Sequence, residues 1–202
     1  MSLVMSIITS NYLFISGERR MMDANDNIVD ENVRKKIAIL NDNSFIGFAG
    51  SGKSCGGIIE YIQSIDLKKY RLDEICEIVT TKGKELHIIN NDIFNVVVGG
   101  INKEGKLDLN VVSPNYDFAN VKAVLTEEEP LSFVAFESGN SKYRPVQIFD
   151  TLWGKGVPSK EEALNILRNI HDRIAEDDYT VNTNIDYIYI DTDVKVEYMN
   201  SK

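Results

Sequence analysis

Residues 47–54 of this sequence, Gly-Phe-Ala-Gly-Ser-Gly-Lys-Ser, match the phosphate-binding pattern G-x4-G-K-[ST] at every fixed position. In that pattern backbone amides surround the phosphates of a nucleotide, the lysine reaches the outer phosphates, and the last hydroxyl binds Mg²⁺. Lys53 and Ser54 would have those roles here, and Asp191, which ends an apolar run, could supply a carboxylate for the metal. Nucleotide binding is therefore one hypothesis for this chain.

The sequence around this motif argues against that hypothesis. Gly56 and Gly57 follow the motif at once, and each costs a helix about 1 kcal/mol relative to alanine. No alternation of strands and helices follows to build a parallel sheet, and the strand before the motif belongs to a predicted hairpin. The alternative is a glycine-rich turn that joins a strand to a helix.

The other residues with metal-binding or redox chemistry are few. The chain has two cysteines, Cys55 and Cys76, and two histidines, His87 and His171. These are too few and too scattered for a disulfide framework or a four-ligand zinc site, so we expect no metal and no cofactor. We interpret Cys55 as a small buried residue at a helix start and both histidines as ordinary surface or helix residues.

Length and charge limit the classes of protein. The chain has 202 residues, and its 22 Lys and Arg against 31 Asp and Glu give a net charge of −9. We expect one globular domain over residues 1–202, which is long enough to bury a core without metal or disulfides. The acidic balance excludes nucleic acid as an expected partner. Polar residues interrupt the apolar first 16 residues, so we predict no signal peptide, no membrane partner and a cytoplasmic location.

The secondary-structure elements predicted for the first part of the chain are mainly strands. Short β-rich runs separated by Asn- and Asp-containing turns predict hairpins in the first fifty residues. An apolar spacing of three and four residues then predicts two helices, one from Gly57 and one around Leu72–Val79. The strands predicted on either side of these helices are 4–9, 12–16, 36–40, 44–49, 92–101, 106–112, 121–125 and 131–136.

The last part of the chain predicts a long helix and a final hairpin. Ser159 with Glu162 three residues later is a capping box, which marks the start of the helix. The final strands are predicted over 185–190 and 194–198. Local hairpins with separate helical segments predict an α+β fold with mainly antiparallel sheets, arranged as two sheets between helical layers.

The order of these elements and the text of several segments resemble the proteasome β-type subunits and the HslV-like proteins among the N-terminal nucleophile hydrolases. The resemblance covers nearly the whole chain. It is carried by Tyr12–Arg20, which resembles that family's second strand, by residues 32–37, which resemble the segment with its active-site lysine, by Ile46–Gly50 and by the hairpin of residues 95–105. It implies a four-layer αββα sandwich, a peptide or small amide substrate, and a homo-oligomer in the form of a ring.

The resemblance also implies a catalytic set. In that family an N-terminal hydroxyl attacks an amide carbonyl, and its own α-amine acts as the general base. Removal of Met1 would make Ser2 this nucleophile, with Glu18 orienting Lys36 and with the N–H of Gly50 binding the oxyanion. Asp177 and Thr180 correspond to a supporting Asp and Ser pair.

Two differences from the family leave a second hypothesis open, a non-catalytic assembly subunit with the same fold. Met1 precedes Ser2, and Thr180-Val181 stands where the family has Ser-Gly. If Ser2 is not native, Ser6 is the next candidate nucleophile, although only 12 residues then separate it from Glu18.

Overall fold

The computed structural model describes residues 2–23, 25, 27–31, 35–137, 139–154, 156–193 and 196–200. Met1, residues 32–34 of the segment with the proposed lysine, and Val194 at the start of the last predicted strand lie outside the described residues. The described strands are β1 (Val4–Thr9), β2 (Tyr12–Glu18), β3 (Met21–Met22), β4 (Ile28–Asp30), β5 (Ile37–Asn41), β6 (Ser44–Gly50), β7 (Phe94–Ile101), β8 (Leu107–Val112), β9 (Val121–Lys122), β10 (Leu131–Phe136), β11 (Ile185–Asp191) and β12 (Val196–Asn200). The described helices are α1 (Gly52–Gln63), α2 (Leu72–Asn90), α3 (Pro145–Leu152) and α4 (Lys160–Ala175).

The first sheet has the strand order β10-β1-β2-β11-β12, and its neighbouring strands are antiparallel. Its central hairpin, β1-β2, turns at Ser10-Asn11 as predicted. The Thr9 side chain fixes this turn, because its Oγ1 accepts the backbone N–H groups of Asn11 at 3.1 Å and Tyr12 at 3.0 Å. The chain returns to this sheet at its C-terminal end, where β11 pairs with β2 along the whole length of β2.

The second sheet has the order β5-β6-β7-β8-β9 and is also antiparallel. The predicted hairpins 36–49 and 92–112 form its β5-β6 and β7-β8 pairs. The Asn102 side chain closes the turn of the latter, since its Oδ1 accepts the N–H groups of Glu104 at 2.9 Å and Lys106 at 3.1 Å. The predicted strand 121–125 is shorter than expected, and only Val121–Lys122 pairs with β8.

A two-stranded ribbon, β3-β4, follows the first hairpin and was not among the predicted strands. The ribbon lies between β2 and β5 along the chain, so it forms part of the connection from the first sheet to the second. The prediction of an α+β fold with antiparallel sheets is therefore confirmed in the described part of the chain.

Three of the four helices follow the predicted pattern. The capping box of α4 is present, since Ser159 Oγ accepts the Glu162 N–H and the Glu162 carboxylate accepts the Ser159 N–H. Helix α1 begins at Gly52, five residues before the predicted start at Gly57. Gly57 brings α1 close to α2, because a Cβ at this position would lie 3.0 Å from the Leu86 side chain. Helix α3 was not predicted. In the described part of the chain, no helix is long and apolar enough to cross a membrane.

Three clusters of buried apolar side chains connect these elements. One lies between the first sheet and helices α3 and α4, and includes Phe14, Phe149 and Leu167. A second joins the second sheet to α1 and α2. The third contains residues of both sheets, such as Ile15 on β2 and Phe45 on β6. This arrangement is compatible with a sandwich in which two sheets pack on each other and carry helices on their outer sides.

Candidate functional site

Ser2 lies at the point where the first strand begins, next to the end of the second strand. The Leu3 N–H donates to Glu18 Oε1 at 3.4 Å, and the Glu18 N–H donates to the Leu3 carbonyl at 3.4 Å. These two bonds fix the backbone beside Ser2. Ser2 is 9% exposed and lines a cavity together with Lys36, Gly50 and Cys55. The structure therefore brings three of the predicted site residues, Ser2, Lys36 and Gly50, to one cavity.

Lys36 and Glu18 form a buried ion pair at this cavity. The Lys36 Nζ contacts Glu18 Oε1, and the two side chains are 9% and 0% exposed. Lys36 directly precedes β5, and its carbonyl accepts the Phe48 N–H at 2.8 Å, which ties it to β6. Glu18 Oε2 also accepts the Arg20 N–H at 2.6 Å. Glu18 is thus held by backbone donors on both sides and positions the lysine.

Burial is the main influence on the protonation of Lys36. Burial lowers the pKa of Lys36 to about 7, while Cys55 and Asp178 act in the opposite direction. A lysine in this range can hold or release a proton at little cost. Groups with such shifted pKa values are common in catalytic sites.

Gly50 closes the cavity at the end of β6. Its φ is +102°, and a Cβ at this position would lie 2.7 Å from the Ile93 carbonyl oxygen. A side chain is therefore excluded by both the backbone conformation and the neighbouring strand. Gly50 is exposed and lines the same cavity as Ser2.

The predicted supporting pair is arranged differently. Asp177 points away from Thr180: its carboxylate accepts the Lys142 N–H at 2.6 Å and the Ser141 Oγ–H at 3.1 Å. The next residue, Asp178, is 1% exposed and accepts both the N–H and the hydroxyl of Thr180, at 2.9 and 2.6 Å. Asp178 also raises the pKa of Lys36. The structure thus places Asp178, not Asp177, in the position next to Thr180 and near the lysine.

Cys55 and His171 were not predicted as part of this region. Cys55, in the first turn of α1, is 6% exposed, and its thiol lies 3.9 Å from the Ala49 carbonyl. His171 of α4 is fully buried, and its Nε2 lies 3.1 Å from Ser16 Oγ. The sequence of α4 could have indicated that His171 is buried, because it shares a helical face with Leu167 and Ile174.

His171 gives a prediction about stability. Burial and the charge of Lys36 lower the pKa of His171 to about 3, so the folded chain keeps it neutral while the unfolded chain protonates it below pH 6.5. Stability that is fully present above pH 6.5 is therefore lost as the pH falls towards 3. Between pH 7 and pH 5 the loss from this group is about 2 kcal/mol.

Urea unfolding of the natural protein and of His171→Gln at both pH values measures this effect. We expect the free energy of unfolding to fall more on acidification in the natural protein than in the variant. An equal fall in the two proteins would show that His171 is not held neutral.

Ser6, the second candidate nucleophile, lies inside β1 opposite Ile15 and Val134 and is fully buried. It is part of a continuous strand. The structure therefore gives a substrate no access to its hydroxyl.

Residues of the phosphate-binding motif form hydrogen bonds within the fold. Ser51 caps α1, and the hydroxyls of Ser51 and Ser54 both donate to the Asp92 carboxylate, the latter at 2.6 Å. The partner of both hydroxyls is thus an acidic side chain of this chain, whose negative charge disfavours a phosphate beside it. The preceding strand β6 lies between two antiparallel neighbours, and Asp191 belongs to the other sheet. These features argue against the nucleotide-binding hypothesis.

No family model and no curated protein sequence matches this chain. Solved structures do resemble it. They include an Anbu (Gly-1) mutant from Hyphomicrobium sp. strain MC1, with a TM-score of 0.79, 16% identity and coverage of 99% of this chain and 88% of that one. Anbu from Yersinia bercovieri, described as an ancestral beta-subunit, has a TM-score of 0.79, 17% identity and coverage of 98% and 86%. A helical assembly of the Anbu complex from Pseudomonas aeruginosa has a TM-score of 0.78, 16% identity and coverage of 99% and 86%.

These comparisons correct the resemblance drawn from the sequence. The assignment to the proteasome β-type subunits and HslV-like proteins is wrong, because the structures that this chain resembles are Anbu proteins and no family model supports the assignment. At 16–17% identity the likeness shows the fold. The chemistry must therefore be argued from this chain's own residues.

Proposed function

We propose that this protein is an amide or peptide hydrolase whose nucleophile is the hydroxyl of Ser2, exposed as the N-terminal residue by removal of Met1. The observation that carries the proposal is the common cavity of Ser2, Lys36 and Gly50, with Lys36 held by the buried Glu18. A hydroxyl, a lysine held beside it by a carboxylate and a strand-end glycine together supply what acyl transfer needs.

In the proposed reaction the free α-amine of Ser2 is the general base. Its unperturbed pKa is about 7.7 to 8.0, so it is partly neutral at physiological pH and can accept the proton of the Ser2 hydroxyl. The Oγ attacks the amide carbonyl, and the tetrahedral intermediate then expels the amine, which takes the proton from the α-ammonium. Water hydrolyses the resulting ester and releases the acid.

The other residues support this step electrostatically. The Lys36 ammonium, positioned by Glu18, stabilises the negative charge that develops at the Ser2 oxygen. The Gly50 N–H is assigned to the oxyanion, because this residue ends β6 at the cavity. Asp178 and Thr180 hold the turn after α4 beside the lysine, in the role that the resemblance implied for Asp177 and Thr180.

The proposal predicts that activity depends on a free N-terminal amine. A chain that begins at Ser2 is compared with one in which an uncleavable residue precedes Ser2. We expect the blocked chain to be at least about 100-fold slower in amide hydrolysis, because general-base catalysis contributes about 10² to 10⁴. Equal rates of hydrolysis by the two chains would overturn the assignment of the α-amine.

A second candidate function is a non-catalytic subunit of a homo-oligomer. Ile88, Ile89 and Ile93 are 81%, 66% and 61% exposed at the end of α2 and the following loop, and exposed apolar side chains in close succession favour a protein contact. The helical assembly of a structurally similar protein also favours it. In this alternative the single domain of residues 1–202 keeps the proposed four-layer αββα sandwich, forms a ring or a filament, and has no hydrolytic activity.

Sedimentation of the natural protein and of the variant Ile88→Lys/Ile89→Lys measures the oligomeric state independently of amide hydrolysis. An oligomer that dissociates in the variant, together with a chain that hydrolyses no amide after Met1 removal, would favour the second candidate. A monomer at all concentrations would exclude it.

A further inference from the structure

The cavity beside Ser2 has an unusual charge for this chain. Its lining includes three cationic residues, Arg20, Lys35 and Lys36, and no Asp or Glu among the described lining residues. The whole chain, in contrast, has a net charge of −9. Cations are therefore concentrated at the site in a protein that is otherwise acidic, which raises the local concentration of anionic molecules.

Two of these three cations are already neutralised by carboxylates. Lys36 contacts Glu18, and Arg20 forms an ion pair with Glu31 at 3.0 Å. Arg20 also donates to the carbonyls of residues 179 and 181, so it holds the loop after β2 against the turn after α4. The charges of Arg20 and Lys36 are therefore paired with carboxylates of the fold.

Lys35 is different. Its Nζ lies 4.7 Å from the centroid of the Tyr198 ring, and among the described residues it forms no ion pair with a carboxylate. Lys35 is exposed, although it lines the cavity. The aromatic ring orients the ammonium without neutralising its charge.

Lys35 also stands where the cavity meets a second, apolar groove. This groove lies between β5 and α1, and it shares Lys35, Phe48 and Ile59 with the cavity. Phe48 and Ile59 line both the cavity and the groove, so an apolar surface lies beside the point where they meet. A carboxylate bound here would lie beside the nucleophile and next to an apolar surface.

We propose that the substrate is an acidic peptide or acyl amide, and that Lys35 binds a carboxylate close to the scissile bond. This inference rests on the proposed function and adds its substrate class. Lys35 is the residue that determines the preference, because Arg20 and Lys36 are paired with carboxylates of the fold.

Paired peptides that differ only by Glu or Gln at the residues adjoining the scissile amide test this proposal. We expect kcat/KM to be about tenfold higher for the Glu peptide, and the ratio to fall towards one in Lys35→Gln and below one in Lys35→Glu. Lys68→Gln is the matched control, because Lys68 lines the apolar groove but not the cavity, and it should keep the preference. Raising the salt from 0.05 to 1 M should reduce the ratio in the natural protein.

The two proposals fail in different ways. Equal hydrolysis of the Glu and Gln peptides by the natural protein overturns the role of Lys35 and leaves the hydrolase proposal intact. If neither peptide is cleaved at any position, binding of the same peptides to Ser2→Ala, measured by fluorescence anisotropy, still tests Lys35. Tighter binding of the Glu peptide that is lost in Lys35→Gln supports the acidic ligand, and equal binding rejects it.

Discussion

Ser2→Ala is expected to abolish amide hydrolysis while the fold stays intact. The substitution removes the only atom that the proposed mechanism uses as a nucleophile, so the loss of kcat should reach about 10⁴-fold or more. The Ser2 side chain lines a cavity and is not part of an apolar cluster, so the free energy of unfolding should change by less than about 1 kcal/mol. Initial rates with a fluorogenic amide and urea unfolding measure the two effects.

Two matched variants separate this effect from general damage near the N-terminus. Ser2→Thr keeps a hydroxyl in the same position and should retain measurable activity. Ser6→Ala removes a buried hydroxyl that has no hydrogen-bond partner among the described residues, and it should leave the rate unchanged. Full activity of Ser2→Ala, or loss of activity in Ser6→Ala alone, would contradict the assignment of the nucleophile.

Lys36→Met should have the second largest effect, and it should act on both activity and stability. The variant loses the ammonium that stabilises the developing charge, which we expect to lower kcat/KM by about 10²- to 10³-fold. It also leaves the fully buried Glu18 carboxylate without its cationic partner. Breaking a buried ion pair in this way costs about 3 to 5 kcal/mol of stability.

The double variant Lys36→Met/Glu18→Gln distinguishes the two contributions. A neutral glutamine removes the uncompensated charge, so most of the lost stability should return in urea unfolding. The activity should stay low, since the ammonium is still absent. Recovery of hydrolysis in the double variant would mean that Lys36 serves the fold and not the chemistry.

Much of the fold could be predicted because its signals are local. The β1-β2 hairpin and the β7-β8 hairpin are fixed by the side chains of Thr9 and Asn102 in their own turns. The start of α4 is likewise fixed by Ser159 and Glu162. These interactions join residues at most four positions apart, so the sequence contains both partners. Helix α3 was missed because it has only eight residues and begins at Pro145, which is also typical of a turn.

The site was predicted less completely, since it depends on contacts between distant segments. The neighbouring sequence does not distinguish Asp177 from Asp178. The conformation of the turn after α4 determines which of the two carboxylates contacts Thr180. Cys55 enters the cavity because α1 begins at Gly52, five residues earlier than its apolar pattern indicates. The nucleotide-binding alternative stayed open at the level of sequence for a related reason. Ser54 of the glycine-rich motif is bound by Asp92, 38 residues further along the chain.

The central claim is that Ser2 becomes a reactive N-terminal nucleophile, and an intact-mass measurement tests it most directly. The native gene, expressed without added residues, is analysed with and without a covalent probe that requires both a free N-terminal amine and the hydroxyl of the same residue. We expect a chain that has lost Met1 and carries one probe adduct, located on Ser2 by peptide mapping and absent in Ser2→Ala. A chain that retains Met1 and carries no adduct would overturn the assignment of Ser2 as the nucleophile and leave the non-catalytic subunit as the better description.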